Sequence, residues 1–118
     1  MKYLFLFNGR VEEQTAEPGS DAWTETLHAY QAADAAMAEA GVMIDCAPLQ
    51  PPEAATTVRI RNGEILLTDG PAAEIKEQLG GYALVDCADL DEALKWAATI
   101  PAARDGSVEV RPVLEVPS

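Results

Sequence analysis

The chain predicts an α+β fold: a ferredoxin-like antiparallel sheet with two helices on one face and an inserted β-hairpin. Three observations carry this. Apolar patterning along the 118 residues gives the order strand, helix, strand, hairpin, strand, helix, strand. An alanine-rich stretch between a capping residue and a glycine predicts one long helix, and Asn62-Gly63 between two β-branched runs is a strong short-range hairpin signal. Two helices on one face leave the other sheet face bare, so a homodimer in which two sheets close on each other is expected.

Tyr3 to Phe7 reads as the first strand, and the polar stretch Asn8 to Gly19, with Pro18-Gly19, reads as an exposed loop. The helix runs from Ser20 or Asp21 to Ala40 and stops at Gly41. Val42-Met43-Ile44 is the second strand, followed by a proline-bearing connection over Pro48 to Pro52. Thr57 to Arg61 and Glu64 to Thr68 flank the Asn62-Gly63 turn. Tyr82 to Cys87 is the next strand, and Asp89-Leu90-Asp91-Glu92 opens a second helix with a capping-box-like spacing that should end near Ile100, before Pro101. Ser107 to Val113 alternates as the last strand. Pro112 cannot donate a ladder hydrogen bond, so that end should lie at a sheet edge or beyond the pairing.

Composition narrows the function. One domain over residues 1–118 is expected from the length. The formal net charge of −12, from 20 acidic against 8 basic residues, argues against direct nucleic-acid binding, which needs clustered Lys and Arg. The apolar start is stopped by Asn8-Gly9-Arg10 and is read as a strand rather than a signal peptide. No run approaches the roughly 18 apolar residues of a membrane span. The expectation is a cytoplasmic protein that contacts no membrane. Cys46 and Cys87 lack CxxC spacing or nearby histidines, so they are expected as buried, reduced thiols, with no metal and no cofactor.

The densest stretch of backbone instructions is Thr68 to Tyr82, where Asp69-Gly70-Pro71 turns the chain and Gly80-Gly81 lets a backbone pass close to another segment. Asp69, Glu74, Lys76 and Tyr82 are the candidate pocket residues here. The alternative is local turn-making: an Asx turn at Asp69, Pro71 at the first position of a helical turn, and Glu74 accepting from free backbone donors.

Leu49-Gln50-Pro51-Pro52, Thr56-Thr57-Val58-Arg59 and Thr68-Asp69-Gly70-Pro71, with Lys76-Glu77-Gln78-Leu79-Gly80-Gly81, resemble the DGPF-domain branch of the YCII-related proteins. So do Asp89-Leu90-Asp91-Glu92-Ala93, Pro101-Ala102-Ala103-Arg104 and Gly106 to Pro112. The resemblance implies a dimeric α/β barrel with a pocket near the interface. It also implies a candidate enzyme, through the histidine–aspartate dyad ascribed to YCII-like members, and a working partner in an extracytoplasmic-function sigma factor, near which DGPF members are often encoded. Two positions depart from the pattern. Ala72 replaces the signature phenylalanine, and Tyr30 stands where the dyad histidine is expected.

On the first helix, at about 100° per residue, Trp23, Leu27, Tyr30, Asp34 and Met37 fall within one arc, flanked by Ala29, Ala33, Ala36 and Ala40. Asp34 thus interrupts an apolar stripe one turn from Tyr30. A carboxylate facing a core is costly unless paired, and its pKa rises if it stays desolvated, so Tyr30 and Asp34 form a candidate catalytic acid–base pair. The alternative is a structural hydrogen bond from a tyrosine or from Arg59 or Arg61. His28, the one histidine, reads as a solvated surface residue, and Trp96 as core.

The residues therefore predict a cytoplasmic homodimer with a small-molecule ligand pocket and cofactor-free acid–base chemistry of lyase or isomerase type. The rival is a non-catalytic regulatory or interaction module working with a sigma factor.

Overall fold

The computed structural model describes residues 1–10, 17, 19–73 and 77–117. Strand β1 spans Lys2–Arg10, helix α1 Asp21–Glu39 and strand β2 Met43–Pro48. A 3₁₀ turn at Pro52–Ala54 leads into β3, Thr56–Arg61, and β4, Glu64–Asp69. Strand β5 spans Glu77–Asp86, helix α2 Leu90–Ala97, helix α3 Ala102–Asp105 and strand β6 Ser107–Pro112.

Strands β2, β5, β1 and β6 pair in that order, all antiparallel, and β3–β4 form a separate two-stranded sheet. With the hairpin set aside, this is the ferredoxin-like arrangement, and the predicted fold class stands. β6 lies at the edge, with Pro112 opposite Tyr3. The Asn62-Gly63 turn has positive φ at both residues, 52° and 76°, as a two-residue hairpin turn of the I′ type requires.

Alternation along β1 decides the layers. Tyr3, Phe5 and Phe7 are buried, whereas Leu4 and Leu6 are only half-buried on the opposite face. The buried side chains join Ala83, Val85 and Cys87 of β5, Met37 of α1, Ala93 and Ala97 of α2, and Ile100 and Ala102 beyond it in one cluster, so the helices share a single face. Trp96 packs against this cluster, half-buried, as its core assignment requires. Caps set both long helices. The Ser20 side chain accepts from the Trp23 N–H at 3.2 Å, and Asp89 accepts from the Glu92 N–H at 2.9 Å while Glu92 reaches back to the Ala88 N–H.

Several boundaries move, among them that of β2, which runs to Pro48 rather than stopping at Ile44. β1 continues through Asn8, Gly9 and Arg10, read from sequence as loop, because these residues pair with Leu79, Gln78 and Glu77. β5 consequently starts at Glu77 rather than Tyr82. The double glycine lies within the strand: Gly80 is the extra residue of a bulge between the Phe7 and Asn8 pairings, and Gly81 is buried. The close approach read from it is present, since a Cβ on Gly81 would lie 3.0 Å from the Ala47 carbonyl oxygen and 3.2 Å from the Phe7 ring. Helix α2 ends at Ala97, and α3, unforeseen from the sequence, follows Pro101. Among the described residues no helix is long and apolar enough to cross a membrane.

Gly106 closes α3 where β6 begins. A Cβ there would lie 2.0 Å from the Asn8 backbone oxygen, an overlap that only backbone movement relieves. Gly106→Ala is expected to lose about 2–3 kcal/mol of stability in chemical denaturation; an unchanged midpoint would contradict this packing.

Candidate functional site

Helix α1 presents Tyr30, Ala33, Asp34 and Met37 to the sheet. Ala33 and Met37 are buried, and Tyr30 and Asp34 are half-buried beside them. The Tyr30 ring meets Phe7 with centroids 5.7 Å apart and planes inclined by 33°, an offset contact suited to aromatic quadrupoles. Phe7 in turn lies opposite Gly81, whose missing side chain makes room for the ring.

One turn on, Asp34 shares a hydrogen bond with the Cys46 thiol. Burial pushes the Asp34 carboxyl above its ordinary value of 3.8, and the thiol's hydrogen bond offsets part of that rise. The Cys46 thiol is likewise pushed above its ordinary range, first by burial, then by the negative charges of Asp34 and Asp45 and by its bond to Asp34. The thiol form is favoured, so Cys46 acts as a proton-bearing donor to Asp34 rather than a nucleophilic thiolate. The expected arginine partners lie elsewhere: Arg59 reaches the Ala72 carbonyl at 3.5 Å and Arg61 that of Ile60 at 2.9 Å, both on the separate hairpin sheet. The expectation that both cysteines are buried is corrected too. Both are free thiols and Cys87 is buried, but Cys46 is half-exposed on an edge strand.

Asp45 precedes Cys46 and points to the other face of the sheet. Its carboxylate accepts from the Cys46 backbone N–H at 2.9 Å and from the Tyr82 hydroxyl at 3.1 Å. The Tyr82 hydroxyl is held above its ordinary pKa by that hydrogen bond and by the Asp45 charge. Tyr82 therefore lies across the sheet from Tyr30 and Asp34, but one acidic string, Asp34–Cys46–Asp45–Tyr82, wraps the edge strand and links the two faces.

Asp69 stands exposed at the end of β4, and Glu74 and Lys76 lie outside the described residues. Next to Asp69, Gly70 is tied back by its N–H to the Ala55 carbonyl at 2.7 Å and by its own carbonyl, which accepts from the Thr57 hydroxyl at 2.8 Å. An open cleft of about 470 Å³ lies at the hairpin's root, lined by Leu49, Pro51, Pro52, Pro71, Leu79 and buried Gln78, whose amide donates to the Ala73 carbonyl at 3.1 Å. His28 is exposed. Among the described residues no three His, Cys, Asp or Glu side chains gather where they could hold a metal ion.

Sequence reasoning missed Asp45 and Cys46. Their signal was present but weak: Cys46 and Ala47 continue an apolar run up to Pro48, which extends the second strand past Ile44.

The YCII-related domain matches residues 1–117. This chain belongs to the YCII-related family. It is 51% identical over 77 residues to an uncharacterized protein of Rhizobium meliloti (strain 1021), a match covering 64% of this chain and 62% of that protein. It is similar in structure to the 5-chloro-2-hydroxyhydroquinone dehydrochlorinase of Burkholderia phenoliruptrix AC1100, solved in complex with 2,5-dihydroxybenzoquinone. That likeness has a TM-score of 0.52 at 14% identity over 98% of this chain and 96% of the other, and at that identity it speaks for the fold alone.

Two outcomes test the site's electrostatics. A carboxyl whose folded pKa is raised binds its proton more tightly folded than unfolded. Its effect on stability is therefore most favourable below pH 3.8 and worsens as pH rises through the window between 3.8 and the folded value. Asp34→Asn in this YCII-related protein is accordingly expected to melt higher than the native chain at neutral pH, with the difference shrinking towards pH 3; a variant that melts lower at neutral pH would contradict it. Removing the Asp34 charge also lowers the Cys46 pKa. Site-resolved alkylation of Cys46 at pH 8 should therefore run roughly two- to fivefold faster in Asp34→Asn, and an unchanged rate would show that the charge does not act on the thiol.

Proposed function

We propose that this YCII-related protein, of the DGPF branch, is a cytoplasmic homodimer that binds a small molecule and performs cofactor-free acid–base chemistry of lyase or isomerase type. The observation carrying this reading is the Asp34 carboxyl, desolvated at the helix–sheet boundary and held by a thiol, one turn from the Tyr30 ring. A carboxyl with a raised pKa is a better proton acceptor than a surface carboxylate, and its environment accounts for the rise.

Asp34 takes a proton from a bound substrate and the electron pair left behind forms a new double bond; in the lyase case a leaving group departs with its bonding pair, and in the isomerase case the substrate regains the proton at another carbon. Tyr30 positions the ligand through its ring and supplies a hydroxyl. The chemistry of a planar, hydroxylated ring fits Tyr30 and Phe7, and the dehydrochlorinase of the same fold was solved with such a ligand. Asp69, Glu74 and Lys76 shape and charge the pocket, and Tyr82, on the opposite sheet face, acts on the Asp34–Cys46 pair through Asp45. The homodimer is supported by the sheet face that carries Leu4, Leu6 and Leu84, half-buried and, among the described residues, with no helix over it.

Thermal-shift measurement with 2,5-dihydroxybenzoquinone and related hydroxyquinols tests this directly, since a bound ligand raises the melting temperature by mass action. Melting should rise with ligand in the native chain and not in Tyr30→Ala, and any turnover found should fall on the order of 100-fold or more in Asp34→Asn. Absence of a shift throughout such a panel, combined with sigma-factor binding indifferent to Asp34→Asn, would replace this reading with the regulatory one.

A further inference from the structure

The β3–β4 hairpin is an amphipathic ribbon whose apolar side lies in solvent. Val58 pairs with Leu67 and Ile60 with Ile65, which puts all four aliphatics on one face, each 60–70% exposed. Thr57, Arg59, Arg61, Glu64 and Thr68 occupy the other face with Leu66. A two-stranded hairpin is marginal in water unless a third element covers its apolar side. The described part of the chain leaves that side open, and the hydrogen bonds at the ribbon's root, Gly70 with Ala55 and with Thr57, tie its two strands to each other. The molecule is correspondingly extended, with a radius of gyration of 16.0 Å against about 13.5 Å for a compact chain of this length.

We infer that this arm reaches across to a second copy of the chain and buries its four aliphatics there. This rests on the homodimer proposed above and adds to it, because a dimer closed by its four-stranded sheets alone leaves the arm uncovered. Charge favours a second copy as the occupant. Arg59 and Arg61 balance Glu64 and Asp69, so the arm is neutral and the whole formal −12 resides in the rest of the chain. Two such bodies repel, and the neutral segment is where they can meet at least electrostatic cost. The area complements the charge: four aliphatic side chains from each of two arms add a large apolar contribution to whatever the sheets bury.

The test uses the full chain and two readouts. Sedimentation equilibrium of the native protein is compared with Val58→Lys/Leu67→Lys, on the apolar side, and with Glu64→Gln/Thr68→Lys, which makes the same charge change on the polar side of the ribbon. The apolar-side pair should weaken the dimer on the order of 100-fold, and the polar-side pair by far less. Hydrogen exchange of the native chain provides the check that no misfolded variant can obscure: amides of 56–69 should be protected at dimer concentrations and lose protection on dilution into monomer. A native dimer whose affinity ignores the apolar-side substitutions, and whose arm exchanges at the same rate before and after dilution, would overturn the arm while leaving the homodimer standing. A native chain that is monomeric at every concentration would overturn the dimer, and the arm with it.

Discussion

The structure depends on the two-residue alternation of β1, held between β5 and β6 at the centre of the sheet. Phe5 stands opposite both Ala83 and Val110 and is fully buried, with Tyr3 and Phe7 beside it on the same face. Because successive side chains point to opposite faces, that one pattern commits Leu4 and Leu6 to the other side. A shift of one residue would exchange the two sets and leave three aromatic rings in solvent. The helices, the candidate site and the expected contact between copies are all placed by this division.

On the helix side, small residues set the distances. Gly81 admits the Phe7 ring, Phe7 meets Tyr30, and buried Ala33 of α1 with Ala93 and Ala97 of α2 let the helices lie close to the sheet. Asp34 is a carboxyl set into this apolar boundary, with Cys46 as its partner. The edge strand carries the connection to the other face, because Asp45 accepts both from the Cys46 backbone and from Tyr82. The two faces of the sheet are thereby joined around the edge strand, through the Asp34–Cys46 hydrogen bond and the bonds of Asp45 to the Cys46 backbone and the Tyr82 hydroxyl.

Most of the architecture was legible because it is local. Ser20, Gly41, Asn62-Gly63 and Asp89 are start and stop signals acting within a few residues, and each marks an element of the structure. What was not legible depends on partners far along the chain. β5 begins early because Glu77, Gln78 and Leu79 find Arg10, Gly9 and Asn8 across the bulge at Gly80, a pairing that no local pattern announces. Asp34 was visible as a break in an apolar stripe, but its partner was not: Cys46 reaches it only because β2 pairs with β5 at Ala83. Arg59 and Arg61 were plausible partners by charge alone, and their placement on a separate two-stranded sheet directs them elsewhere. The opposite-face placement of Tyr82 follows from alternation with buried Ala83 and Val85 once the strand is known to run through Gly81.

The account turns on one desolvated carboxyl. Carbon-detected NMR titration of the Asp34 side chain, in the native chain and in Cys46→Ala, measures it without reference to any ligand. The titration midpoint should lie above 3.8 in the native chain and rise further when the thiol donor is removed. A midpoint at or below 3.8, unmoved by Cys46→Ala, would make Asp34 an ordinary solvated carboxylate and leave the proposed chemistry without its proton acceptor.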